Sequence, residues 1–167
     1  MTFSSDPAEL IPHRDTMLLV DKVLEVVPGE RAVVAKTVSI EERWYQRPGV
    51  REAAPEHHAY PHAALLESFN QACAVLVMTT WRSFSTGVLE AGVPMLGTYN
   101  NVRFGRPVLP GETMVHHIRI EQEHNESMVL TGESFVGEDR VLTVGHGLVV
   151  RRPAQVLGSG RVPEGQH

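Results

Sequence analysis

Hydrophobic positions along the chain fall into short alternating runs on either side of one long apolar block. Met17 to Val27 (MLLVDKVLEVV) and Arg31 to Ile40 (RAVVAKTVSI) are rich in valine and leucine, and Pro28-Gly29 marks a turn between them. The two are expected to pair as a hairpin. From Thr113 to Gln122 (TMVHHIRIEQ), Met114, His116, Ile118 and Ile120 share one face and His117, Arg119 and Glu121 the other. That is the period of a half-buried antiparallel strand. Met95 to Phe104, Met128 to Val136 and Arg140 to Arg151 read as further strands.

Between the two sets lies His62 to Trp81 (HAALLESFNQACAVLVMTTW), apolar nearly all round; from residue 63 to residue 81 its only charged side chain is Glu67. A helix with almost no polar face is a buried helix, and Pro61 suits its first turn, where a missing N–H costs nothing. Two strands, one buried helix and a second group of strands predict an α+β fold, an antiparallel sheet curled around a long central hydrophobic helix. A second subunit is the simplest cover for whatever the sheet leaves open. Residues 41–61, polar and proline-containing with His57 and His58 adjacent, form a connection too long for a tight turn, a place where function often resides. The Pro/Gly-rich tail 152–167 is expected to be disordered, leaving 1–151 as a single domain.

Composition narrows the function. With 15 Lys+Arg against 20 Asp+Glu the net charge is -5, unlike a basic nucleic-acid or membrane-surface protein. The single cysteine, Cys73, excludes an internal disulfide and a multi-cysteine zinc site, and its apolar helical setting reads as core. The N-terminal stretch lacks a signal-peptide pattern and no apolar run is long enough to span a bilayer, so a cytoplasmic location is expected. His116 and His117 alternate faces, and Glu56, His57 and His58 lack ligand spacing. No metal or other cofactor is expected. Asn125-Glu-Ser127 matches a glycosylation sequon that a cytoplasmic protein would not use.

Three strings carry a family resemblance. Ile11-Pro-His-Arg-Asp-Thr-Met-Leu-Leu-Val-Asp-Lys22 with Pro28-Gly29, Leu65-Leu-Glu-Ser-Phe-Asn-Gln-Ala72, and Val102-Arg-Phe-Gly-Arg-Pro-Val-Leu-Pro-Gly-Glu112 resemble, in the same order, motifs of the FabZ-type β-hydroxyacyl-acyl carrier protein dehydratases. The resemblance covers roughly residues 10 to 151. It implies the hotdog fold and a dimer with two interface sites. It also implies loss of water from a 3-hydroxyacyl thioester on the phosphopantetheine arm of an acyl carrier protein, with a histidine of one subunit and a carboxylate of the other moving the protons.

The family's carboxylate carries over to Glu67. A lone carboxyl in an apolar helix is expected to be desolvated, which favours its neutral, proton-donating form. Backbone N–H groups at the helix start can polarise the thioester carbonyl. The family's His-Phe-Pro-Gly-His-Pro segment does not carry over. Counting its spacing back from Glu67 lands on Ala53, the segment is lengthened, and only Pro55 and His57 echo it. His57 and His58 are therefore the candidate bases, with His62 a weaker one. Tyr60 and Trp44 are candidates to line an acyl tunnel. Gln71, one turn after Glu67, is a candidate either to satisfy that carboxylate or to bind substrate. Arg14, Arg103 and Arg106 can meet an acidic carrier, though Arg106-Pro107 equally suits a turn. The leading expectation is a dehydratase, in specialised (polyketide) or fatty-acid biosynthesis. The alternatives are a catalytically incomplete subunit of a heterodimeric dehydratase, a hotdog acyl-thioesterase, which Pro61-His62-Ala-Ala64 faintly suggests, and a carrier-binding module without chemistry.

Overall fold

The computed structural model describes residues 3–54, 57–84, 92–124 and 126–152. Pro55, the sequon residue Asn125 and the tail beyond Arg152 lie outside the described residues. Six strands, β1 (Lys22–Val27), β2 (Arg31–Thr37), β3 (Val93–Phe104), β4 (Thr113–His124), β5 (Ser127–Val136) and β6 (Asp139–Arg152), and one helix, α1 (His62–Phe84), follow in the order β1-β2-α1-β3-β4-β5-β6. The strands form one sheet in the order β1-β2-β4-β5-β6-β3, every pair antiparallel. This is the expected α+β hotdog arrangement.

The β1–β2 hairpin turns at Gly29, whose φ of 79° is open to glycine at little cost, and the Thr80 hydroxyl at the far end of α1 accepts the Gly29 N–H at 2.9 Å. Residues 17–21, expected to extend the first strand, do not. Asp15–Met17 is a single 3-10 turn, and the stretch after it is held by helix side chains rather than by a ladder of strand bonds.

The inward faces follow the alternation. Ala32 and Val34, Met114, His116 and Ile118, Met128, Leu130 and Ser134, and Leu142 and Val144 are buried against α1, while His117 and Arg119 point outward. From the helix, Leu65, Phe69, Ala72, Val75, Leu76 and Met78 complete the core. Each of the larger aliphatic or aromatic side chains, the alanines aside, contributes roughly 1.5–3 kcal/mol on burial. Gly132 lets β5 and β4 close over Phe69, because a Cβ there would meet the His117 carbonyl and the Phe69 ring.

Helix α1 is nonetheless not covered all round. Ala63, Leu66, Glu67, Asn70 and Ala74 recur at helical spacing and keep partial or full exposure, an open stripe beside edge strand β3. Among the described residues no helix is long and apolar enough to cross a membrane.

Candidate active site

Glu67 sits on that open stripe, and its side chain keeps 32% exposure in the single chain. The complete desolvation expected from the helix sequence is therefore absent, because the sheet leaves this side of α1 uncovered. The carboxylate is firmly oriented all the same. Gln71 Nε2 donates to Oε1 at 3.0 Å and Asn70 Nδ2 donates to Oε2 at 3.3 Å. The Tyr99 hydroxyl of β3 donates to Asn70 Oδ1 at 3.3 Å, fixing which way the Asn70 amide faces. Burial and the neighbouring carboxylate and thiol push the Tyr99 phenol up, so it remains a donor.

Gln71 is fully buried and uses all of its amide. Its Oε1 accepts the Leu19 N–H at 2.7 Å, and its two N–H groups go to the Met17 carbonyl at 2.8 Å and to Glu67. Of the two roles open to it, it takes the structural one and supports the carboxylate.

Ser68 donates its hydroxyl to the Leu19 carbonyl at 2.7 Å. Having spent its proton there, it accepts from His116 Nε2 at 2.8 Å, and Nδ1 of that ring accepts from the Ser134 hydroxyl at 2.6 Å. One neutral tautomer of His116 is thereby selected. Burial, with His117 adding to it, pulls the His116 pKa down to about 3. The ring is a core strut, closed off from substrate.

The histidines of the long loop separate. His58 is buried, its Nε2 donates to the Val50 carbonyl at 2.6 Å, and its own carbonyl accepts from Tyr45 Oη at 3.1 Å. It is stitched into the loop and does not approach Glu67 within its chain. His57 is exposed. Ala53, in the position that the spacing assigns to the family histidine, is half-buried. His62 stacks flat on Phe104 of β3, ring centroids 4.1 Å apart. Tyr60 is core: its hydroxyl donates to Glu42 Oε2 at 3.3 Å and Trp44 meets it edge-on, while Lys36 pairs with the same Glu42 at 3.1 Å. Arg14 is turned onto the carbonyls of Ile11 and His13, both at 2.6 Å, and Arg106 bridges Glu112 and Asp139, so both are occupied by local structure. Cys73 is buried within α1, and burial pushes its thiol far up, out of the range of a nucleophile.

The imidazole that does face Glu67 is none of the candidate bases named from the sequence. His13, in the turn before β1, places Nε2 3.6 Å from Glu67 Oε1. Among the described residues it is the one histidine within 4.0 Å of that carboxylate, and its side chain is 31% exposed. Its Nδ1 is buried and makes no hydrogen bond to the described residues. Its one sequence signal is membership of the Ile-Pro-His-Arg-Asp string.

A six-stranded antiparallel sheet around one helix, with a carboxylate on the helix's uncovered stripe and an imidazole 3.6 Å from it, defines a hotdog protein with a candidate acid–base site. A FabA-like domain family model matches residues 11–145, and the chain belongs to that family. Curated relatives include the 3-hydroxyacyl-[acyl-carrier-protein] dehydratase FabZ of Symbiobacterium thermophilum, 34% identical over 131 residues (78% of this chain, 84% of the relative), and that of Pasteurella multocida, 32% identical over 146 residues (87% and 89%). Among solved structures, a chain of the dehydratase heterocomplex ApeI:P from Xenorhabdus doucetiae aligns at a TM-score of 0.70 with 17% identity, covering 91% of this chain and 94% of that one. The fluoroacetyl-CoA thioesterase FlK aligns at 0.58 with 12% identity, covering 80% and 93%. The last two share the fold.

Proposed function

We propose that the protein is a hydro-lyase that removes water from 3-hydroxyacyl thioesters to give trans-2-enoyl thioesters, with the acyl chain presented on the phosphopantetheine arm of an acyl carrier protein in the cytoplasm. The observation that carries this reading is Glu67, a carboxylate aimed by two amides on the one stripe of α1 that the sheet leaves open. The elimination needs a proton taken from C2 and a proton given to the departing C3 hydroxyl, and a carboxyl beside an imidazole supplies both. A second hotdog subunit lying along β3 and the open stripe would cover Glu67 and dry the site. Replacing Glu67→Gln keeps the size of the side chain and removes its proton chemistry. Enoyl formation from a 3-hydroxyacyl carrier-protein thioester, followed by mass spectrometry, is expected to fall at least ~100-fold. Unchanged turnover overturns the mechanism, and release of free acid in place of enoyl product selects the thioesterase alternative.

A second reading is favoured by Ala53. A chain without the family's loop histidine can serve as one half of a heterodimeric dehydratase, as the heterocomplex among its structural neighbours suggests. Its setting would then be a specialised pathway such as polyketide assembly. Dehydration by the purified chain alone argues against this division of labour.

A further inference from the structure

The site has a carboxylate in place and, by the family's spacing, alanine where an imidazole is required. We propose that His13 is that imidazole, supplied by the same chain from the turn before β1, and that the chain is catalytically self-sufficient.

Four observations support the assignment. His13 Nε2 faces Glu67 Oε1 across 3.6 Å, while His58 has its Nε2 on the Val50 carbonyl and His62 is stacked on Phe104. The gap is wider than a hydrogen bond, so neither group is consumed by the other. Both side chains are about one-third exposed, 31% and 32%, on the same open side of α1. The segment that carries His13 is also held rigidly to the helix that carries Glu67. Gln71 binds Leu19 N–H and the Met17 carbonyl, Ser68 binds the Leu19 carbonyl, and Arg14 ties the Ile11 and His13 carbonyls together. A reacting pair needs this kind of fixed mutual geometry.

The step balances without any further reagent. Neutral His13 Nε2 takes the proton from C2, and the electrons of that C–H bond form the C2–C3 double bond. The C3–O bond breaks, and the leaving hydroxyl takes the proton of the Glu67 carboxyl and departs as water. The imidazolium then gives its proton to solvent and the carboxylate takes one back, both side chains being about one-third exposed, which restores the two groups. The C2 and C3 substituents of one substrate lie close enough together to be served by two groups so near each other.

This assignment rests on the dehydratase reading above, and the test separates the two. His13→Gln, His13→Asn, His57→Gln and Glu67→Gln are assayed for enoyl formation on the full chain, with thermal unfolding of each as a check on folding. The expected result is a loss of kcat of about 100-fold or more in both His13 variants at unchanged melting temperature. Imidazole added to the buffer is expected to restore part of that loss in His13→Asn, while His57→Gln keeps activity within about three-fold of wild type. Retention of kcat in His13→Gln, or loss in His57→Gln alone, overturns the assignment and leaves the dehydratase reading standing. Should the His13 variants unfold, absence of imidazole rescue in His13→Asn under conditions where it stays folded also overturns it. A wild-type chain that forms no enoyl product, alone or with a second hotdog subunit, removes the functional reading and this assignment with it.

Discussion

Gln71 and Leu19 are joined side chain to backbone, Oε1 accepting the Leu19 N–H at 2.7 Å in the interior of the protein. The same amide donates to Glu67, so one buried residue links the segment before β1 to the reactive carboxylate. Replacing Gln71→Met keeps length and helix propensity but leaves the Leu19 N–H without a partner away from water. The expected cost is about 1–3 kcal/mol in urea unfolding. Because Glu67 loses its aim, kcat is expected to fall more than KM rises. A stability change below ~0.5 kcal/mol would show the bond to be dispensable.

His116 gives the protein an acid limit. Its ordinary pKa is 6.5, and burial takes it to about 3 in the folded chain. Between those values the unfolded chain binds a proton that the folded one does not, so protonation draws the equilibrium towards unfolding. Its contribution is complete above pH 6.5 and is lost as the pH falls towards 3. The slope from one such proton is about 1.4 kcal/mol per pH unit. Urea midpoints at pH 7, 6, 5 and 4 for wild type and His116→Gln check this. The stability difference between the two should shrink as the pH falls, and a constant difference contradicts the account.

Gly132→Ala tests the closeness of the sheet to the helix. The added methyl meets the His117 carbonyl on the adjoining strand and the Phe69 ring beneath. The backbone carbonyl cannot move aside without disturbing the β4–β5 register. Overpacking of this kind costs about 1–3 kcal/mol, visible as a lowered melting temperature. A variant that melts with wild type would mean that the sheet yields locally.

The architecture was readable because it rests on periodic signals. In β4 the alternation of Met114, His116 and Ile118 with His117 and Arg119 assigns both faces, and the apolar run from Ala63 to Trp81 marks α1. The helix runs on to Phe84 because Arg82 and Ser83 carry no stop signal. The site was only half readable. Glu67 stands out as the one charged side chain from residue 63 to residue 81, but its exposure depends on which side the sheet leaves open, which no single segment encodes. His57 and His58 looked equivalent as neighbours in a loop. Non-periodic contacts separate them, with Val50 taking the ring of one and leaving the other exposed. His13 lies far from Glu67 along the chain in an irregular turn, and side chains reaching out from α1, Gln71 and Ser68 to residues 17–19 and Arg82 to the Glu9 carbonyl, bring the two together.

The grip on Leu19 has a mechanical consequence. Both its N–H and its C=O are taken by α1, at 2.7 Å each, so the turn upstream is anchored to the helix. Were the helix to slide along its trough to admit a bulkier acyl tail, imidazole and carboxylate would travel as a single piece. The spacing of the two reactive groups would stay constant while the room around them changed.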